Sequence, residues 1–291
     1  MLEKFDRSVQ NIGNILLMEH VNLAVDDQQV AIAFYVGVLG LTRDPYISVG
    51  LNNIWINAGR QQFHLPTSEK AQVLRGEIGL IIPSLEQLRV RLENAEKILN
   101  STQFSWSCYG HESISITCPW GNRFICKQAN SNLTGMRIGI SHLNFYVNPN
   151  SAKGISRFYE EILDAPCELV NLQNGLQVAV VKIGPEQSIV FSEDNSDRIS
   201  PYDGHHIAVY VADFSNPHHK IESNGFITEE SNKWQYRFES IYDPLTKVVL
   251  FDLEHEVRSI THPMYSRRLI NRNPDSNLQN FLRDSEDLNI N

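Results

Sequence analysis

Four residues able to bind a divalent cation recur at the same place in four similar segments of the chain. The segments are EHVNLAVDD from Glu19, GEIGLIIPS from Gly76, SHLNFYVNP from Ser141 and HHIAVYVAD from His205, and their second residues are His20, Glu77, His142 and His206. Imidazoles and carboxylates are the donors that first-row divalent metals commonly take from proteins. His64, in QQFHLP, adds another imidazole, and Glu254, in KVVLFDLE, another carboxylate. Glu77 and Tyr242 are candidates for moving a proton, the first as a carboxylate base and the second as a phenol. Glycine-rich phosphate loops, G-x-S-x-G elbows and H-E-x-x-H helices are absent from the sequence, so it offers no basis for nucleotide chemistry or serine hydrolysis.

The elements that carry these residues repeat as well. Each of the four segments reads as a short apolar strand ending in a turn of Asp, Asn, Pro or Ser. A helix pattern follows each one. QQVAIAFYVGVLGL and SAKGISRFYEEILDA place Phe34-Tyr35 and Phe158-Tyr159 alike, and SLEQLRVRLENAEKIL has apolar residues at helical spacing. Further β-rich runs close each unit, among them LNNIWINA and QQFHLP in the first and WQYRFESIYDP and KVVLFDLE in the fourth. The first two ligand-type residues, His20 and Glu77, lie 57 residues apart, and the second two, His142 and His206, lie 64 apart. This spacing reads as two divergent copies of a pair of strand–helix–strand–strand–strand units. The expected organisation is an N-terminal domain over residues 16–128, a C-terminal domain over 138–257 and a polar tail over 258–291 that wraps the surface or frays. The polar stretch from Gln128 to Met136 fits a linker between the halves.

Bulk properties narrow the class. A chain of 291 residues with 42% hydrophobic content can fill real cores, and its 20% charged content is below that of a disordered chain. The net charge of −9 argues against a general nucleic-acid binder and against adsorption to anionic membranes. No stretch reaches the length of a membrane span. Four cysteines without a C-x-x-C pair fit a reduced, cytoplasmic compartment.

These features together resemble the vicinal oxygen chelate superfamily, which includes glyoxalases, bleomycin-resistance proteins and extradiol dioxygenases. The resemblance rests on the paired β-α-β-β-β units and on the H-x-x-x-x-V opening strand followed by an FY-x-x-(V/I)-L helix. It also rests on CPWGNRF, from Cys118 to Phe124, which is similar to the family's D-P-x-G-N turn, and on IYDPLTKVVLF, from Ile241 to Phe251, a degenerate version of that turn. It covers residues 18–256. It implies an α+β fold of four βαβββ modules forming two paired half-barrels, with a divalent metal held inside by residues of first and last strands.

On that pattern the N-terminal pair would supply His20, His64 and Glu77, with Cys126 near the fourth position, although Cys126 reads better as a small core residue. The C-terminal pair would supply His142 and His206. Its last-strand carboxylate should fall near Leu250 or Phe251, so Glu254 serves only if the register is displaced by a pleat. Fe2+, Mn2+, Zn2+ and Ni2+ all suit such sets. No counterpart of the ring-cleaving dioxygenases' acid/base histidine is evident, and the strand RFESIYDP offers Tyr242 instead. His205 and His255 alternate outward from their neighbours, and His218 and His219 read as solvated. The expected function is a metal-dependent enzyme of glyoxalase or dioxygenase type acting on a small substrate with vicinal oxygens, as a monomer or homodimer. The alternative is a metal-free small-molecule-binding protein of the bleomycin-resistance kind.

Overall fold

The computed structural model describes residues 7–47, 50, 52–129, 135–196 and 200–276. Most of the expected linker (130–134) and the end of the tail (277–291) lie outside the described residues. The first unit runs β1 (Ile15–Asn22), α1 (Gln28–Ala31), β2 (Thr42–Arg43), β3 (Asn53–Ala58) and β4 (Gln61–Pro66). The second runs β5 (Gly76–Ile82), α2 (Leu85–Leu99), β6 (Ser105–Tyr109), β7 (Ser113–Thr117) and β8 (Arg123–Gln128). The third runs β9 (Gly139–Val147), α3 (Ala152–Glu161), β10 (Cys167–Asn171), β11 (Gln177–Lys182) and β12 (Ser188–Glu193). The fourth runs β13 (His206–Val211), α4 (Ser215–Glu222), β14 (Ile227–Asn232), β15 (Gln235–Tyr242) and β16 (Val249–Ser259).

Local chemistry explains the helices. Asp27 caps α1, its Oδ1 accepting from the backbone N–H of Gln29 at 2.7 Å and of Val30 at 3.1 Å. The helix continues as a π-helical stretch, Ile32–Val38, which turns Phe34, Tyr35 and Val38 into the core. Ser84 caps α2, and Leu85, Leu88, Leu92, Ala95 and Leu99 form its buried stripe. In β7 the period is two: Ile114 and Ile116 are buried, while Ser113, Ser115 and Thr117 face the other way and are half-buried.

The sixteen strands form two eight-stranded sheets, ordered β14-β15-β16-β13-β1-β4-β3-β2 and β10-β11-β12-β9-β5-β8-β7-β6. Each unit is βαβββ, and the architecture is the α+β fold of paired modules anticipated from the sequence. The partners differ from the expected ones. The first unit joins the fourth through β1 and β13, and the second joins the third through β5 and β9. The spans 16–128 and 138–257 therefore do not each build a sheet; every sheet takes one unit from either span. The physical reason is that all four first strands are apolar strands with equivalent free edges, so sequence adjacency does not dictate which pair.

The helix-covered faces of both sheets share one core. Phe34 and Tyr35 of the first unit pack on Phe124 of β8, and Phe145 of β9 packs on Phe251 of β16. The tail does not fray up to residue 276. Asn271 exchanges hydrogen bonds of 2.8 Å with the backbone of Gly59, and Arg267 reaches Asp44 at 2.7 Å and Gln62 at 2.9 Å. Among the described residues no helix is long and apolar enough to cross a membrane.

Candidate metal centre

The pairing of units decides which histidines meet. In the first sheet β1 and β13 run antiparallel with Val21 opposite Ile207, so His20 and His206 lie on either side of a local two-fold axis. The last strands add one residue each. His64 on β4 pairs with Asn22, two residues beyond His20, and Glu256 on β16 pairs with Ala208, two residues beyond His206. The repeat thus brings four residues to one face: His20, His64, His206 and Glu256.

One ring nitrogen from each of His20, His64 and His206 lies within 4.8 Å of the other two. The rings meet edge to face, His20 at 5.7 Å between centroids from both His64 and His206. His20 is 1% exposed and His206 8%. The Nε2 atoms of all three are buried and have no hydrogen-bond partner. A buried imidazole nitrogen without a partner is costly, and three such rings, each with a nitrogen within 4.8 Å of the others, make a ready-made donor set. His255, two strands away in the order of the sheet, is the contrast within this chain: Nδ1 bonds the Leu253 carbonyl at 2.7 Å and Nε2 the Tyr159 hydroxyl at 2.8 Å. The residues present fit a divalent metal bound through nitrogen.

Neighbours hold the rings in place. Trp55 stacks on His64 at 4.0 Å and 13°. Nδ1 of His20 lies 2.5 Å from Glu19 Oε2, made possible by a bulge between Met18 and His20 that lets adjacent residues meet. That contact fixes the tilt of the His20 ring. Burial alone would raise the Glu19 carboxyl, but the charge and hydrogen bond of His20, with Arg258, hold it down at about 2. Burial, helped by the adjacent His20, pushes His64 down to about 3, and burial and His20 lower His206 as well. Both rings are therefore neutral at ordinary pH.

Charged groups ring the centre. Arg258 binds Glu19 at 3.0 Å and Glu256 at 2.5 Å. Arg237 binds Glu256 through Nη2 and Glu254 at 2.6 Å through Nη1. Glu254 Oε1 lies 3.4 Å from His206 Nδ1, and burial raises its carboxyl despite the Arg237 charge.

The other expected residues lie elsewhere. Glu77 and His142 are on the second sheet, where Glu77 pairs with Asn144 and Gly79 with His142. Those places are the repeat equivalents of His20 and His206. The last-strand equivalents there are Ile125, paired with Gly79, and Val190, paired with Asn144, both apolar. Glu77 is taken up by Arg123 at 2.8 Å, and the His142 ring fills the space that a Cβ on Gly79 would need. Glu77 therefore does not join His20 and His64; His206 does. Cys126 is core, its thiol pushed up by burial to about 12. Tyr242 packs between Phe226 and Phe158 in the aromatic core, away from the imidazoles.

Several other expectations change. His205 is not outward: it is fully buried, stacked on Phe145 and bonded to Asp203 at 2.6 Å. His255 is equally interior, stacked on Phe238. Sequence reasoning missed Glu19, Arg237, Arg258 and Glu256. Only Glu256 left a signal, since it shares a strand face with Glu254.

Comparison with solved structures decides the fold family. Glyoxalase I from Zea mays superposes with a TM-score of 0.57 at 12% identity, over 83% of this chain and 92% of that one. A point variant of the same maize enzyme gives 0.60, at 12% identity and the same coverage. The chain has the vicinal oxygen chelate fold. A Bacillus subtilis protein with a provisional dioxygenase name matches with a TM-score of 0.54 at 14% identity, over 84% of this chain and 86% of that one. No protein-family model and no curated protein matches the sequence. At these identities the vicinal oxygen chelate likeness is one of fold.

Proposed function

We propose that the protein is a metal-dependent enzyme of glyoxalase or dioxygenase type, acting on a small substrate with two adjacent oxygens. The observation that carries this reading is the trio of partnerless, buried Nε2 atoms of His20, His64 and His206. The names of the structural neighbours, glyoxalase I and a dioxygenase, agree with it.

His20, His64 and His206 would hold the ion, with Glu256 beside them. A divalent ion there supplies Lewis-acid polarisation of substrate oxygens. The chain's own residues do the rest. Trp55 fixes the plane of His64, and Glu19 fixes the tilt of His20. Glu254 Oε1, raised by burial and 3.4 Å from His206 Nδ1, is placed to hold a proton at the rim of the centre. The docked tail fixes the first-unit side of the same sheet through Arg267 on Gln62, the residue opposite His20.

Metal analysis tests the reading. Protein purified after growth with iron, manganese, nickel and zinc should carry close to one ion per chain, and His20→Ala with His64→Ala should carry none while keeping its melting temperature. Wild-type protein devoid of metal under all four supplements would remove the proposal.

A further inference from the structure

The helix α4 carries another group of metal-binding side chains, away from the buried imidazoles. Tyr236 and Arg237 are neighbours on β15 and point to opposite faces of the sheet. Arg237 reaches Glu254 and Glu256 beside the imidazole trio, whereas the Tyr236 ring meets His218 of α4 at 4.9 Å. On that outer side His218, His219 and Glu222 each offer a donor atom, and the three atoms all lie within 4.8 Å of one another. Residues four apart share a helix face, which brings Glu222 beneath His218. Glu222 Oε2 lies 3.9 Å from Nδ1 of His218 and 3.9 Å from Nδ1 of His219. A tetrahedral ion with bonds of about 2.0–2.2 Å spaces its donors by roughly 3.4 Å, so closing around one shortens these contacts by about half an ångström. The His219 and Glu222 side chains, 73% and 60% exposed, have room for that movement.

Two further observations set this group apart from a meeting of surface residues. The sequence suggests that both histidines are solvated, and His219 is, but the His218 side chain is only 19% exposed. Its Nε2 lies 2.5 Å from Oε1 of Glu230 on β14, and its ring stands edge-on to buried Tyr236. With Nε2 engaged by a carboxylate, Nδ1 is the nitrogen left to an ion, and such an outer carboxylate is the usual device for orienting a ligating histidine. Glu222, in turn, is the last residue of α4, where the helix dipole disfavours a carboxylate and favours a cation. We propose that His218, His219 and Glu222 form an open metal site for zinc or a like ion, with Glu230 as a positioning residue that acts through His218. Two imidazoles and one carboxylate suit zinc, cobalt, nickel or copper, not calcium or magnesium, which take oxygen donors. Through His218 and Glu230 the ion ties α4 to β14, the edge strand of the first sheet, so its effect is to clamp that edge. The site shares no residue with the trio proposed for catalysis and does not depend on that reading.

An ion held by side chains this open exchanges with buffer, so metal carried through purification reports the buried trio, and the outer site is read by adding zinc back. Calorimetric titration with zinc chloride is run on the His20→Ala with His64→Ala protein, which lacks the buried set. It should take up one zinc per chain with micromolar affinity and melt at a higher temperature in its presence. Adding His219→Ala or Glu222→Gln, both at exposed positions, should abolish the uptake and the rise in melting temperature. Adding Glu230→Gln should weaken zinc by about 10–100-fold, the usual effect of an outer group. If the His20→Ala with His64→Ala protein folds poorly, wild type answers the same question: it should take up one zinc beyond its as-isolated content, and its His219→Ala variant should not. Crystals soaked in zinc should show an anomalous peak about 2.0–2.2 Å from Nδ1 of both His218 and His219. Absence of uptake, saturation only at millimolar zinc, or uptake indifferent to His219→Ala and Glu222→Gln would overturn the inference. Each of those results leaves the functional reading standing, since that reading is judged on the ion present in wild type as isolated.

Discussion

His64 and Glu256 are the same residue of the repeat: each pairs across its sheet with the position two beyond a first-strand histidine, Asn22 in one unit and Ala208 in the other. The equivalence makes the centre a product of duplication, with one imidazole from each first strand and a last-strand residue from each unit. It also explains why the second sheet lacks a counterpart, since Ile125 and Val190 stand at the two matching last-strand places.

The second sheet should accordingly be indifferent to metal. His142→Ala and Glu77→Gln are expected to leave metal content unchanged, measured by elemental analysis of the purified variants. Glu77→Gln should cost no more than about 1 kcal/mol, because its pair with Arg123 is partly solvated, with 41% exposure on the arginine side. A loss of metal in His142→Ala equal to that in His64→Ala would show that the two sheets share one centre.

Glu19 should tune the centre without touching it. Removing the carboxylate that orients His20 is expected to weaken metal binding by about 10–100-fold, the usual size of an outer-group effect. Glu19→Gln keeps the shape and can still accept from His20, so it should lie at the low end and Glu19→Ala at the high end. Equilibrium dialysis of both variants against cobalt orders them. Equal affinity in Glu19→Ala and wild type would mean the 2.5 Å contact is incidental.

Much of the site is legible in the sequence, and what is not has physical causes. His20, Glu77, His142 and His206 do occupy equivalent first-strand places, because period-two alternation and the strand–turn chemistry fix which face they take. His64 is legible for the same reason. Which sheet each joins is not, because β1, β5, β9 and β13 are alike in character and sequence adjacency does not choose among their edges. Counting from Asp243-Pro244 points to Leu250 or Phe251 and reaches Glu254 only by displacing the register a pleat, still short of Glu256, since β15 and β16 carry two register irregularities that counting cannot see. The bulge that sets Glu19 beside His20 is equally silent in sequence. Arg267 and Asn271 look like tail residues because their partners, Asp44 and Gly59, lie more than two hundred positions away.

The docked tail should be a measurable part of stability. Asp44 is wholly buried, and Arg267 meets it at 2.7 Å, alongside the backbone N–H groups of Tyr46 and Ile47. Burial alone would raise the Asp44 carboxyl, but the Arg267 hydrogen bond and those two backbone bonds lower it. Arg267→Ala is expected to destabilise by roughly 1–3 kcal/mol, the cost of leaving a buried acceptor short of a donor. Urea melts of Arg267→Ala, Asp44→Asn and the double variant should show non-additivity. Strictly additive losses would mean that the tail docks through Leu269 and Asn271 alone.

Acid sensitivity should come from buried neutral histidines, and His255 isolates the effect from the metal ligands' own titration. Burial pushes His255 down to about 4, against an ordinary value near 6.5, and both of its nitrogens are spoken for by Leu253 and Tyr159. As pH falls below 6.5 the unfolded chain takes up this proton first, so stability is full above that point and declines until the folded ring protonates near 4. The loss attributable to His255 is on the order of 3 kcal/mol, at about 1.4 kcal/mol per tenfold change in proton affinity. Urea midpoints in chelator from pH 7.5 to 4 should therefore fall in the wild type, and the fall should be shallower in His255→Phe. His64 and His206 are depressed in the same direction, so a residual slope should persist in that variant. Parallel curves for wild type and His255→Phe across this window would mean that the His255 ring accepts its proton inside the fold, contrary to the tautomer its two hydrogen bonds impose.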